Sequence, residues 1–135
     1  MKLVKISLKN KKIINSSYDY WNDETIEKSK AYNVIDNGFL NLKNSKKIIA
    51  HIKIMISYLN YINFDFENKN IFSLASGVCY SEAVSLEIKN FKKLTCIDFS
   101  KHRIHHLAPK VFSNFNLLNK NIELIKGDFE NFNTK

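Results

Sequence analysis

Ile71-Phe72-Ser73-Leu74-Ala75-Ser76-Gly77-Val78-Cys79-Tyr80 reads as a short apolar strand that runs into a turn of small residues. Working outward, Ser81 to Lys89 carries a helical pattern, Leu94-Thr95-Cys96-Ile97 forms a second short apolar run and Ile122-Glu123-Leu124-Ile125 a third. Short apolar runs separated by helical patterns are the grammar of strands joined by helical crossovers. Between the last two strands, Ser100 is placed to cap a helix whose Ile104, Leu107, Ala108 and Val111 share one face, and Pro109 must kink or end it.

A βαβαβ order of this kind predicts an α/β fold: a Rossmann-like parallel sheet with helical crossovers, in a three-layer arrangement, preceded by an N-terminal helical segment. Ligands of such sheets bind beyond the carboxyl ends of the strands. Three features fall there: the turn Ala75 to Tyr80, the acid Asp98, and the pair Gly127-Asp128. The turn lets backbone approach a ligand at a helix N-terminus, where N–H groups favour a carboxylate. Asp98 comes 21 residues after Gly77, the interval at which a second-strand acid accepts hydrogen bonds from ribose hydroxyls. Asp128 is placed to accept from the exocyclic amine of a purine.

In this ordered set, Ile71 to Tyr80, Leu94 to Ser100 and Ile122 to Phe129, the segment resembles the cofactor-binding part of class I S-adenosylmethionine-dependent methyltransferases. The resemblance covers residues 70–132, just under half the chain. It implies that Ala75, Ser76, Gly77, Val78 and Cys79 cradle the methionine moiety of S-adenosyl-L-methionine, that Asp98 holds the ribose and that Asp128 meets the adenine amine. Phe99 and Phe129 would pack against the adenine. The sequence departs from the family pattern at three places: Ala75 and Cys79 stand where glycines are usual, and Ser73 where an acid is common. Direct displacement at the sulfonium methyl needs no covalent intermediate, and no residue is singled out as a general base.

The N-terminal stretch, 1–68, is set apart from 69–135 as a strand and helical cap. Val4, Ile6 and Leu8 alternate with lysine and serine as in an edge strand or hairpin. Tyr18, Tyr20 and Trp21 cluster before a helix N-cap at Asn22 or Asp23, and read either as core or as a lid over the cofactor. From Ser45 to Tyr61, Ile48, Ile49, Ile52, Met55, Ile56 and Leu59 recur at helical spacing and predict a buried stripe, with His51 and Lys53 off it.

The net charge of +8 comes from 21 basic residues of which only Arg103 is arginine. Scattered lysines lack the planar fork that suits phosphate and guanine, so nucleic acid is a weakly supported partner. Cys79 and Cys96 have no motif spacing and are expected to be reduced and inert. His102, His105 and His106 share helix faces, but no carboxylate or thiolate stands at ligand spacing beside them, so no metal is expected. The absence of a long apolar run excludes a membrane-spanning helix, and cytoplasmic location is the default.

Two other readings use the same residues. A nicotinamide-dinucleotide oxidoreductase fragment would share the ribose-binding acid, but its pyrophosphate requires more glycines than the one at Gly77. A basic RNA-binding module would show steep salt dependence. Because related enzymes continue beyond their third strand, the sequence reads as a truncated product with little catalysis of its own. The edge of the Ile71 to Ala75 strand is then open to self-association, unless the strand near Leu3 to Leu8 covers it.

Overall fold

The structure is a computed structural model and describes residues 1–5, Gly38 and 46–127. Its elements follow as β1 (Lys2–Lys5), α1 (Lys46–Tyr61), β2 (Asn70–Leu74), α2 (Tyr80–Ile88), β3 (Lys93–Asp98), a π-helical stretch (His102–Leu107) running into α3 (Ala108–Asn114), and β4 (Ile122–Lys126). The four strands form one sheet in the order β1-β4-β3-β2, every pair parallel. This is the expected Rossmann-like α/β arrangement.

Two crossovers step across the sheet in the same direction, from β2 to β3 and from β3 to β4. Right-handed connections that keep moving one way place their helices on one face. Leu94 and Cys96 of β3 and Ile122 and Leu124 of β4 accordingly share a single buried cluster with Ile52 and Ile56 of α1, Val84 and Leu86 of α2, and Val111 and Phe112 of α3. The described residues thus build a sheet and one helical layer. On the opposite face Thr95, Ile97 and Ile125 are also buried, whereas Phe72 and Leu74 of β2 are 47% and 54% exposed.

β1 settles where the N-terminal strand goes. Its partner is β4, with Leu3 opposite Leu124, at the far end of the sheet from β2. It therefore does not pair with β2, which is an end strand of the sheet among the described residues. The remaining N-terminal expectations, from Ile6 to Leu8 and around Tyr18, Tyr20 and Trp21, lie outside the described residues.

Helix α1 buries Ile52 and Ile56 and half-buries Ile49 and Leu59, as its periodicity predicts. Met55 departs from that stripe and is exposed, together with Ile54, Tyr58, Tyr61 and Ile62. The contact with α2 is narrower than the apolar arc of the sequence. The helix ends at Asn63, whose φ of 56° closes the chain back so that the Phe64 N–H reaches the Leu59 carbonyl at 2.9 Å. Asn116 ends α3 in the same way, with φ 57° and a 2.9 Å bond from Leu117 N–H to the Phe112 carbonyl.

Pro109 shapes the helix between β3 and β4. A proline inside an α-helix lacks the N–H for the preceding turn and its ring meets a carbonyl of that turn. Here it sits in the first turn of α3, immediately after the π-helical stretch, and the Ala108 N–H bonds the Arg103 carbonyl five residues back. The wider turn absorbs the irregularity, so the helix changes type at the proline instead of stopping. Ile104, Leu107, Ala108 and Val111 are all buried, as their shared face requires.

Candidate functional site

The turn after β2 has an unusual backbone. Ala75, Gly77 and Cys79 adopt φ values of 54°, 55° and 58°, so alternate residues lie in the left-handed region. Glycine enters that region freely, whereas an L-residue with a Cβ costs about 1–2 kcal/mol there. The conformation that suits three glycines is therefore present with only one. Such strain persists where surrounding structure holds it, and it concentrates at functional sites.

What holds the turn is a set of bonds to β3. Ser76 donates both its N–H and its hydroxyl to the Ile97 carbonyl, at 3.1 and 3.2 Å. Gly77 donates its N–H to Asp98 Oδ2 at 2.7 Å. The Cys79 N–H returns to the Ser76 carbonyl at 2.9 Å and leads into α2.

Asp98 is the hub of the strand ends. Its Oδ1 accepts the Ser100 N–H at 2.8 Å, and its own carbonyl accepts the Gly127 N–H at 3.0 Å. The Ser100 hydroxyl accepts the Arg103 N–H at 3.1 Å and caps the next helix, as its position predicts. The turn after β2 and the start of the next helix thus meet on the half-buried carboxylate of Asp98, and the glycine following β4 bonds the carbonyl of the same residue. An ionised carboxylate offers about four acceptor positions, so backbone bonds and ligand hydroxyls can share it.

The site contains a second carboxylate that the sequence did not single out. Glu82, in the first turn of α2, accepts a hydrogen bond from the Ser73 hydroxyl on β2. Burial, and next the negative charge of Asp98, hold the Glu82 carboxyl above its ordinary value, while the Ser73 bond pulls the other way. No cation pairs with it among the described residues. The only sign of it in the sequence is the pairing of a serine where an acid is common with an acid nine residues later.

The other expected site residues divide into three groups. Ala75 is exposed at the turn, Ser76 and Gly77 are half-buried, and Phe99 is half-buried beside Asp98. Val78 and Cys79 have buried side chains, so they can offer a ligand only backbone; burial, and next the neighbouring Cys96 thiol, push the Cys79 thiol well above its ordinary range. Asp128 and Phe129 lie outside the described residues. Of the histidines, His102 is half-buried and His106 exposed, with their rings 5.9 Å apart. No group of three or more His, Cys, Asp or Glu side chains that could hold a metal ion occurs among the described residues. Nor is any helix there long and apolar enough to cross a membrane.

Among solved structures, the chain is similar to the plantazolicin methyltransferase BpumL, determined in complex with a monoazolic desmethylPZN analog and SAH. The similarity extends over 88% of this chain with a TM-score of 0.56 and 19% sequence identity. The fold is that of a class I methyltransferase. The chain spans 41% of that methyltransferase's length, so it corresponds to part of the larger protein. No family model and no curated protein matches it in sequence.

Proposed function

We propose that this chain binds S-adenosylmethionine and forms the cofactor-binding part of a methyltransferase. The observation that carries the reading is the bond between the Gly77 N–H and Asp98 Oδ2 at the carboxyl ends of β2 and β3, where ligands of parallel sheets bind. The methyltransferase fold and the SAH held by the similar enzyme support the same choice of ligand.

The residues present suit that cofactor. Asp98 faces the position of a ribose whose hydroxyls would donate to it, alongside the two backbone N–H groups it already accepts. The turn at Ala75 to Gly77 brings backbone to the amino-acid end, and Phe99 follows Asp98 where an adenine would lie. When bound, S-adenosylmethionine supplies a sulfonium methyl group that a nucleophile displaces directly, leaving the thioether. The protein's part is to hold the donor in one orientation, which is where most of the gain in such a reaction arises. The resemblance would assign the remaining adenine contacts to Asp128 and Phe129.

The test is calorimetric titration of the full chain with S-adenosylhomocysteine, with NAD as control. Binding that is lost in Asp98→Ala, while the variant stays folded by circular dichroism, supports the proposal. Preference for NAD would replace it with a dinucleotide-binding reading, and binding of neither ligand by the folded chain would remove it.

A further inference from the structure

Ser73 stands on β2 two residues before the turn, at the strand position where the resembled family commonly has an acid. A carboxylate is nonetheless present there, because Glu82 leans from α2 onto the Ser73 hydroxyl. It has no cation among the described residues, unlike Glu123, which pairs with Lys93 at 2.6 Å. A sheltered anion left without a counter-charge is poised for a cationic ligand.

A simpler account would make Glu82 a partner for the positive end of the α2 dipole. That role needs no shelter. An acid at the exposed neighbouring position Ser81 would serve it in full contact with water. Glu82 instead turns inward toward β2 and sits close enough to Asp98 for the two like charges to disfavour each other. Those costs fit a carboxylate kept for something that arrives with positive charge.

We infer that Glu82 is the anionic contact for the α-ammonium group of the cofactor's methionine end, a carboxylate moved from the strand to the helix and held in place by Ser73. The inference rests on the cofactor reading above. In that arrangement the positive N-terminal end of α2 faces the ligand carboxylate, Glu82 takes the ammonium and Asp98 takes the ribose. Glu82 is thus a specificity-determining residue, separating ligands that carry an amino acid from those that carry only the nucleoside.

The experiment compares two ligands by calorimetry on the full chain: S-adenosylhomocysteine, which has the amino-acid end, and 5′-methylthioadenosine, which lacks it. Glu82→Gln is expected to weaken S-adenosylhomocysteine by about tenfold or more, the range for losing a charge-assisted bond, and to leave 5′-methylthioadenosine unchanged. Adding Ser73→Asp to Glu82→Gln should return part of the lost affinity by restoring the strand carboxylate. Equal weakening of both ligands, or no weakening of either, overturns the assignment of Glu82 while leaving the cofactor reading intact. Failure of the wild-type chain to bind either ligand overturns both.

Discussion

The backbone N–H of Gly77 donates to the carboxylate of Asp98 at 2.7 Å, joining the turn that follows β2 to the last residue of β3. The other oxygen of the same side chain accepts from Ser100, and the Asp98 carbonyl accepts from Gly127. One acid therefore organises the three strand ends. Whatever binds there meets a frame set before it arrives, which is how a small site gains orientation without reorganising.

If Asp98 organises the strand ends, its removal should be felt in stability as well as binding. Asp98→Ala leaves the N–H groups of Gly77 and Ser100 without their acceptor, at an expected cost of about 1–3 kcal/mol. Asp98→Asn keeps one acceptor oxygen and should cost less. Urea denaturation of the three proteins checks the order. Equal midpoints would show that the bonds from Gly77 and Ser100 are exchanged for water without penalty.

The left-handed turn makes opposite predictions at neighbouring residues. Nothing lies within 4 Å of a Cβ added at Gly77, so Gly77→Ala should destabilise through its φ of 55° alone, by about 1–2 kcal/mol. Ala75→Gly relieves the same strain and should stabilise by about 1 kcal/mol, since Ala75 is exposed and buries little. Thermal melts read both signs. A neutral Gly77→Ala would mean that the turn relaxes out of the left-handed region.

Glu82 imposes a pH dependence. Its carboxyl is held above the ordinary 4.5, so the folded chain binds the proton more tightly than the unfolded chain does. Its contribution to stability is therefore fullest below pH 4.5 and declines as the pH rises from there through the raised folded value. Glu82→Gln should flatten that decline and melt higher than wild type at neutral pH, even as it weakens the proposed ligand. A variant whose stability falls just as steeply over the same interval would assign the effect to another group.

β2 is an end strand of the sheet among the described residues, and Leu74 on it is exposed. Unpaired apolar edges promote association. Sedimentation of the full chain is expected to show concentration-dependent self-association, reduced by Leu74→Lys. A monomer at all concentrations would mean that this edge is protected.

The strands and Asp98 were legible because their signals are local. A run such as Leu94 to Ile97 is mostly apolar and buried on both faces, and an acid at its end marks the ligand side of a parallel sheet. The turn was legible only in part: Ala75 and Cys79 look like departures from a glycine pattern, yet their backbone keeps it, since bonds from β3 override what their side chains prefer. Glu82 was hidden because its bond to Ser73 exists only once α2 packs beside β2. Met55 matched the helical period of Ile52 and Ile56 but is exposed, since periodicity gives a direction and not the width of the partner surface. The pairing of β1 with β4 is likewise a long-range choice with no local mark.

Backbone amide resonances of the ¹⁵N-labelled chain, followed during titration with S-adenosylhomocysteine, test the central claim most directly. The account predicts saturable shifts concentrated at Ser76, Gly77, Glu82, Asp98, Phe99 and Gly127, with α1 unaffected. Shifts centred on α1, or a folded chain whose spectrum does not change, would contradict a cofactor site at the strand ends.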